Sequence, residues 1–325
     1  QRLLLLLTPP RPKRHECMVV SVPSLEKGGG FCGGFAAHPG KTNSATETTQ
    51  QNTYQPRQDG DERGHDRSVM VSQMKGPGEI RKEARAWKSQ LLTAKARTKI
   101  GTWNVRTLYS AGKLAQVLNE MKRYHVDIMG ISEMRWTDCG KMESDGFTIY
   151  YSGGNKHERG VGIILTAEMA RAVIAWEPVN DRIITIRLQT KYMKITLIQV
   201  YAPTNAADDK EKDEFYEVLQ AIMDGTPEHD MKLFLGDCNA QVGKDNTGWE
   251  ETMGREAIGT RNENGERLLS YCSSNKLKVG GSIFKHRDIH LGTWRSPNGQ
   301  TVNQIDHICY SRRWASSVQD VRAYR

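Results

Sequence analysis

The stretch MKLFLGDCNAQVGK, residues 231–244, begins as a short apolar run and then stops at an aspartate. A run of this length and composition is typical of a buried β-strand. Asp237 and Asn239 follow at the point where the strand ends. A single Asp or Asn in that place is usually a turn former, so the pattern gains meaning only if other strands end in the same way.

Three further predicted strands end in, or carry, a carboxylate or amide, and another ends in a tyrosine. These residues are Asn104 after IGTW, Glu133 after DIMGIS, Asp306 within NQIDHICY, and Tyr201 at the end of ITLIQVY. If the strands are neighbours, the side chains converge on one rim of the sheets. Clusters of oxygen donors hold Mg²⁺ through one or two carboxylates and leave positions for phosphate and water. The pattern predicts a metal-assisted phosphoester site, with separate turn formers as the alternative.

Strand and helix patterns alternate from Ile100 onward. Two segments show apolar residues at i, i+3, i+4 and i+7, which is typical of a helix with one buried stripe. They cover residues 112–124 and 209–224, and the segment 264–275 is a third, weaker candidate. Many strands with fewer helices predict an α/β fold, a two-layer β-sandwich flanked by helices.

The positive charge of the chain lies in its N-terminal part. Residues 1–100 hold 17 Lys and Arg against 9 Asp and Glu, whereas the rest of the chain holds 29 of each. The composition of this part, rich in Gly, Gln, Thr and charge, predicts a disordered basic arm over residues 1–98. Such an arm attracts nucleic acid or anionic surfaces, although a solvated tail without a partner is an equal alternative.

Five leucines in the first ten residues are too few for a membrane span or a secretory signal. The six cysteines form no C-x-x-C motif and no disulfide framework. We therefore expect reduced thiols, no membrane partner, and a location in the nucleus or cytoplasm rather than secretion. The oligomeric state is left open by the sequence.

Several motifs together resemble the endonuclease/exonuclease/phosphatase family, and within it the LINE-type retrotransposon endonuclease domains. They are TWNVRTL, GISEMRW, VYAPTN, LGDCNAQVGK and NQIDHI, in the order and approximate spacing of that family. The resemblance covers residues 99–325 and implies a DNase I-like, four-layer fold. It also implies a Mg²⁺-dependent endonuclease that nicks DNA to leave a 3′-hydroxyl, with Mn²⁺ as a possible substitute ion.

By the same resemblance, Glu133 binds the metal and Asn104 supports it. Tyr201 contacts the scissile phosphate. Asp237 and Asn239 orient or activate the attacking water and help to stabilise the pentavalent phosphorus.

The resemblance also places Thr293 and Trp294 in a loop near the DNA backbone, where Thr293 touches a phosphate. A hairpin in which these two residues cap the core is the alternative. Arg135, two residues after Glu133, reaches DNA or else covers the sheet edge.

The last part of the family pattern is absent from this sequence. In the family, the acid of the IDH motif orients a histidine from a later Ser-Asp-His segment, and no such segment occurs here. We therefore expect a domain that is C-terminally truncated, lacks its last strand and leaves the edge of an inner sheet open. His307 is not expected to substitute, because successive side chains on a strand point to opposite faces.

Three functions follow as alternatives. The first is a Mg²⁺-dependent DNA endonuclease, impaired by the missing motif. The second is a catalytically inactive, domesticated fragment that binds nucleic acid or protein. The third keeps the chemistry with another substrate, since phosphatases and sphingomyelinases share the fold.

Overall fold

The computed structural model describes residues 17–23, 97–190 and 193–324. Within these ranges the strands form one sheet of seven strands, one of six, and a separate two-stranded ribbon. The two large sheets pack face to face, because one buried cluster contains Ile100 and Ile163 from the first together with Leu197 and Leu233 from the second. The predicted β-sandwich is confirmed.

The first sheet is mixed, with β2 and β3 parallel and the other neighbours antiparallel. In spatial order its strands are β15 (Asp320–Tyr324), β1 (Cys17–Pro23), β2 (Arg97–Asn104), β3 (Ile128–Ser132), β6 (Val161–Thr166), β5 (Phe147–Ser152) and β4 (Cys139–Ser144).

The second sheet is also mixed, with β9 and β10 parallel. Its strands in spatial order are β11 (Leu277–Val279), β14 (Asp306–Ser311), β10 (Met231–Asp237), β9 (Lys194–Tyr201), β8 (Ile183–Gln189) and β7 (Val173–Asn180). The ribbon pairs β12 (Trp294–Arg295) with β13 (Val302–Asn303).

Helices cover the outer faces of both sheets, which gives the four layers expected for a DNase I-like fold. They are α1 (Lys113–Tyr124), α3 (Asp209–Gly225) and α4 (Glu263–Ser274), whereas the short α2 (Ala167–Ala170) packs Met169 into the cluster between the sheets. Val117, Leu118 and Met121 of α1 pack on the outer face of the first sheet. Helices α3 and α4 pack in the same way on the second sheet.

The two long helices of the second outer layer begin at side-chain caps. Asp208 accepts a hydrogen bond from the N–H of Glu211 at 2.7 Å, and Asn262 accepts one from the N–H of Gly265 at 2.8 Å. Such caps satisfy N–H groups that have no partner inside the helix. The acidic residues in the first turn of α3, Asp209 and Glu211, also suit the helix dipole.

Strand β1 corrects the predicted organisation of the N-terminal part. Residues 17–23 fall inside the predicted arm, yet they form a strand between β2 and β15, with Met18 opposite Thr102 and Cys17 opposite Tyr324. The sequence MVVSV is rich in β-branched residues, and its pairing leaves β2 without an open edge. Arg97 and Thr98, the last two residues of the predicted arm, begin β2. The remaining residues of the arm, 1–16 and 24–96, lie outside the described residues.

Three edge strands, β4, β7 and β15, also escaped the sequence patterns. Strand β4 is mostly exposed and polar, so it lacks a buried face from which to recognise it. Strand β7 contains Pro178, which argues against a central strand and is tolerated at the edge that β7 forms.

No helix in the described ranges is both long and apolar enough to cross a lipid bilayer.

The position of Met18 makes the contribution of β1 measurable. Its side chain is fully buried between the sheets, in the same cluster as Ile100. Truncation of a buried Met to Ala costs about 2–5 kcal/mol. We expect Met18→Ala to lower the free energy of unfolding by that amount, as measured by urea denaturation of the full chain.

Met142→Ala is the matched control, because Met142 is 37 % exposed on the edge strand β4. We expect this variant to change stability by less than about 0.5 kcal/mol. Equal effects of the two substitutions would contradict the placement of β1 in the core.

Candidate functional site

A polar cavity of about 170 Å³ opens at one rim of the two sheets. The six residues predicted to be catalytic all line it, together with Thr293 and Trp294. The lining residues are Asn104, Arg106, Glu133, Tyr201, Thr204, Asp237, Asn239, Thr293, Trp294, Ile305 and Asp306.

Strand pairing explains why these side chains meet. Asp237 lies opposite Tyr201 in the parallel pair of β9 and β10, and opposite Asp306 in the antiparallel pair of β10 and β14. In the first sheet, Asn104 lies opposite Ser132, the residue before Glu133. The ends of five strands therefore supply the predicted site.

Asn104 joins the two sheets at this rim. Its Nδ2 donates to Glu133 Oε1 at 2.8 Å and to Asp237 Oδ2 at 2.8 Å. Its Oδ1 accepts a hydrogen bond from the backbone N–H of Arg106 at 3.0 Å. One amide thus sets the separation of two carboxylates that come from different sheets.

Asn239 is held in place from three sides. Its N–H donates to Asp237 Oδ1 at 3.0 Å, its Nδ2 donates to the carbonyl of Ala202 at 2.9 Å, and its own carbonyl accepts from Asn264 Nδ2 at 3.1 Å. Asn264 is buried at the start of α4. The second outer layer therefore supports the loop that carries Asn239.

Burial and neighbouring carboxylate charge raise the pKa of two carboxyl groups in the cavity. Burial raises the pKa of Asp237 to about 6, and the charge of Glu133 adds to this, while hydrogen bonds from Asn104 and Asn239 oppose it. Burial, and then the charge of Asp237, hold the pKa of Asp306 well above its usual range. The site favours a positive charge or a shared proton between these groups.

Tyr201 stays protonated in this environment. Burial first, and then the charges of Glu133 and Asp237, raise its pKa far above the ordinary value. The guanidinium of Arg182 lies 5.4 Å from the centre of its ring, and Arg182 Nη1 donates to the Tyr201 carbonyl at 3.0 Å. The phenol can therefore act as a hydrogen-bond donor at the cavity.

Thr293 serves the local structure as well as the cavity. Its Oγ1 accepts hydrogen bonds from the N–H groups of Ile305 and Asp306, both at 3.1 Å. Trp294, the next residue, begins the ribbon strand β12. Thr293 and Trp294 thus line the cavity at the start of the ribbon, and the contact of Thr293 with a DNA phosphate stays a prediction.

Arg135 does not line the cavity but touches one of its residues. Its Nη2 lies 3.4 Å from Glu133 Oε2. Its neighbour Trp136 packs edge-to-face on Tyr151, with 5.2 Å between the ring centroids. Of the two residues, Arg135 faces the site and Trp136 covers the first sheet.

Four residues around the cavity adopt backbone conformations that non-glycine residues rarely adopt. The φ angles of Arg106, Glu133, Arg135 and Asn239 lie between 48° and 57°. Strain of this kind persists only where the surrounding structure imposes it, and it concentrates at functional sites.

The oxygen donors at this rim suit a hard divalent cation. Glu133, Asp237 and the Asn104 amide offer oxygens within one hydrogen-bonded unit, and Asp306 Oδ1 is buried without a hydrogen-bond partner in the described part of the chain. In the same part, no three His, Cys, Asp or Glu side chains are grouped closely enough to hold an ion alone. Such a set fits Mg²⁺, which uses one or two carboxylates and keeps several waters.

His307 belongs to the core. Its imidazole is fully buried, and Nε2 lies 2.8 Å from the carbonyl of Ala240. Burial lowers the pKa of His307 to about 4, against the opposing effect of that hydrogen bond. The expectation that Asp306 and His307 point to opposite faces agrees with this placement.

Four residues of the site were not predicted from the sequence. Arg106, Thr204 and Ile305 line the cavity, and Arg182 packs on Tyr201. Arg106 lies in the motif TWNVRTL with Asn104, and Thr204 lies in VYAPTN with Tyr201. Their nearness in sequence to predicted site residues could therefore have indicated them. Arg182 precedes the strand β8, and nothing in its local sequence marks it.

Comparisons with known proteins agree with this fold. The sequence model described as "Endonuclease/Exonuclease/phosphatase family" matches residues 101–323. A solved structure from Neisseria, the 3′ phosphatase NExo bound to product DNA hairpin, is similar with a TM-score of 0.51 and 22 % identity. The match covers 69 % of this chain and 90 % of that one, and it supports the fold.

Two curated relatives are both named craniofacial development protein 2. The one from Bos taurus is 41 % identical over 235 residues, which are 72 % of this chain and 39 % of the relative. The one from Tragulus javanicus is 40 % identical over 249 residues, which are 76 % of this chain and 43 % of the relative. This chain spans less than half the length of either relative.

The buried imidazole predicts how stability depends on pH. Because the folded-state pKa of His307 is lowered to about 4, the unfolded chain takes up the proton first as the pH falls. This contribution to stability is therefore present above about pH 6.5 and is lost as the pH falls towards 4. Its full size is on the order of 3 kcal/mol.

We expect His307→Gln, which does not titrate, to lose less stability than the wild type between pH 7.5 and pH 4.5 in urea denaturation. His229→Gln is the control, since His229 is exposed, and it should follow the wild type. If His307→Gln also follows the wild type, the imidazole is not buried in the neutral form.

Proposed function

Because the chain belongs to the Endonuclease/Exonuclease/phosphatase family, we propose that its cavity hydrolyses DNA phosphodiester bonds in a Mg²⁺-dependent, endonucleolytic reaction that leaves a 3′-hydroxyl. The observation that carries this proposal is the double hydrogen bond from Asn104 to Glu133 and Asp237, which assembles the oxygen donors of two sheets into one site. Mn²⁺ is the proposed substitute ion.

Glu133 and Asn104 are the proposed metal-holding residues. A bound cation supplies Lewis-acid chemistry here, since it offsets charge on the phosphate and on its leaving oxygen. Glu133 offers carboxylate oxygens at the cavity, and Asn104 offers the second lone pair of an amide oxygen. Both are fixed by hydrogen bonds before any ligand arrives, which favours a defined geometry.

Asp237 and Asn239 are the proposed water-positioning pair. A carboxyl group with a pKa of about 6 is mostly ionised at pH 7, and it can still accept a proton from the attacking water. Asn239 is fixed against Asp237 and Ala202, so the two side chains hold one orientation. The protonated Tyr201 then donates to a phosphate oxygen.

Substrate contacts are proposed for Thr293, Trp294 and Arg135. The first two line the cavity, and Arg135 reaches Glu133 from outside it. DNA, rather than lipid or inositol phosphate, is the proposed substrate because the motifs resemble retrotransposon endonucleases. A retrotransposon-derived enzyme of this kind would act in the nucleus.

A second candidate function is a module that binds nucleic acid or protein without catalysis. No histidine is among the cavity-lining residues in the described part of the chain. Catalysis and binding therefore have to be measured separately.

The nuclease proposal predicts Mg²⁺-dependent nicking of supercoiled plasmid DNA. Loss of a positioned acid–base group typically lowers the rate by about 10²–10⁴. We expect Glu133→Gln and Asp237→Asn to lower the nicking rate by that factor, and EDTA to abolish nicking until Mg²⁺ is restored. The measurement is gel separation of nicked from supercoiled DNA.

Glu143→Gln is the matched control, because Glu143 is an exposed carboxylate on β4 outside the cavity. Its nicking rate should equal that of the wild type. If the wild type nicks no faster than the two cavity variants but still binds DNA, the binding module replaces the enzyme as the function of this chain.

The charge distribution predicts that the N-terminal part supplies DNA affinity. Replacing basic residues by Gln should weaken binding and reduce the slope of log K against log salt by up to about 0.9 for each phosphate that is no longer neutralised. The variant carries Gln at Arg81, Lys82, Arg85, Lys88 and Lys95. Fluorescence anisotropy of a labelled duplex at several salt concentrations gives the slope.

Lys210→Gln, an exposed position on the outer helix α3, is the control and should leave the slope unchanged. An unchanged slope in the five-residue variant as well would refute a DNA-binding role for this part of the chain.

A further inference from the structure

An exposed pair of aromatic rings stands beside the cavity without a role in the proposed chemistry. Tyr109 is 66 % exposed, the highest value among the exposed large hydrophobic side chains in the described part of the chain. Its ring centroid lies 4.3 Å from that of His157, at an interplanar angle of 47°. His157 is itself exposed. Both rings therefore offer surface to solvent instead of filling a core.

The pair sits on the loops that carry the proposed metal-holding residues. The N–H of Leu108 donates to the Met134 carbonyl at 2.9 Å, which joins the loop after Asn104 to the loop after Glu133. His157 Nδ1 lies 2.8 Å from the Arg135 carbonyl. The two rings are thus anchored to the segments that shape one side of the cavity.

A third loop completes this anchoring. The N–H of Arg135 donates to the Arg159 carbonyl at 2.7 Å, and that of Met134 donates to the Gly160 carbonyl at 3.0 Å. His157 precedes these residues in the loop between β5 and β6. Three loops fixed to one another hold the rings, so their position relative to Glu133 is set by backbone hydrogen bonds.

The charges around the rings suit a nucleic-acid strand. Arg106, which lies between Asn104 and Tyr109 in the sequence, is exposed and lines the cavity. Lys156, the residue before His157, is also exposed. One exposed carboxylate, Glu158, accompanies them. Arg106 at the cavity and the rings on the adjoining loops thus offer a cation for a phosphate and aromatic faces for a base.

We propose that Tyr109 and His157 form a stacking platform for the base of an unpaired nucleotide next to the phosphate in the cavity, an inference that rests on the proposed function. Aromatic rings bind bases through their faces with little dependence on sequence. A base inside a duplex is already stacked on both faces, so only an unstacked base presents a free face to Tyr109. The platform therefore selects substrates with an unpaired base at this position.

The test uses the full chain in EDTA, so that binding is read without cleavage. The two probes are DNA duplexes that differ in one nucleotide: 2-aminopurine is unpaired in one and paired in the other. We expect the unpaired probe to bind more tightly and its fluorescence to be quenched on binding. Tyr109→Ala should raise the Kd of the unpaired probe by about 5- to 150-fold and remove the quenching, with little effect on the paired probe.

Tyr109→Trp should retain both the affinity and the quenching, because it restores an aromatic face. Met142→Ala is the control for loss of an exposed apolar side chain away from the cavity. An equal effect of Tyr109→Ala on both probes, no effect on either, no binding by the wild type, or a failure of Trp to restore quenching would each overturn the platform.

The outcome separates this inference from the nuclease proposal. Plasmid nicking in Mg²⁺ reports on Glu133 and Asp237, whereas quenching in EDTA reports on Tyr109. A chain that nicks plasmid but shows no Tyr109-dependent quenching keeps its proposed function and loses the platform. A chain that quenches but does not nick keeps the platform as part of a binding module.

Discussion

A buried set of hydrogen bonds between the two sheets determines where the rest of the site can lie. Ser132 Oγ donates to the Val200 carbonyl at 2.9 Å and accepts from Gln199 Nε2 at 2.9 Å. These side chains are fully buried, so loss of one partner would leave an unsatisfied polar group at a cost of about 1–3 kcal/mol. Gly130 is required opposite them, because a Cβ there would lie 1.8 Å from Gln199 Oε1. The ends of β3 and β9 are therefore held together, one residue before Glu133 and Tyr201.

This fixed contact explains how the rim tolerates strain and repulsion. Glu133 has a φ of 55° and Asn239 a φ of 48°, and such conformations cost about 1–3 kcal/mol each. The same rim also brings the carboxyl groups of Glu133, Asp237 and Asp306 to one cavity. If the ends of β3 and β9 were free to move apart, both the backbone strain and the repulsion between the carboxyl groups would decrease. The hydrogen bonds beneath the rim oppose that movement, so the strained and mutually repelling groups keep their places.

The fold could be predicted where burial leaves a pattern. Strands such as β3 and β10 are apolar and buried, and the site residues could be read from the polar side chains at their ends. The membership of β1 in the sheet could not be predicted from the sequence, because the strands that it pairs with lie more than seventy residues away and its flanking residues have the composition of a linker. The contact of Tyr109 with His157 is equally hidden, since it depends on how three loops meet. Sequence therefore predicted which residues meet at the strand ends, and the structure added what surrounds them.

The electrostatics of the cavity set the order in which ligands can bind. A phosphate diester carries a negative charge, and the cavity presents the carboxyl groups of Asp237 and Asp306, whose pKa values are raised first by burial and then by neighbouring carboxylate charge. Arg106 stands at the cavity and Arg135 is partly engaged with Glu133, so the described side chains alone do not balance a phosphate. Residues 101–325 are also formally neutral, which leaves little long-range attraction to DNA in this part. A cation or additional protons in the cavity would therefore strengthen phosphate binding, and the affinity for phosphate should rise with the divalent cation concentration until that site is filled.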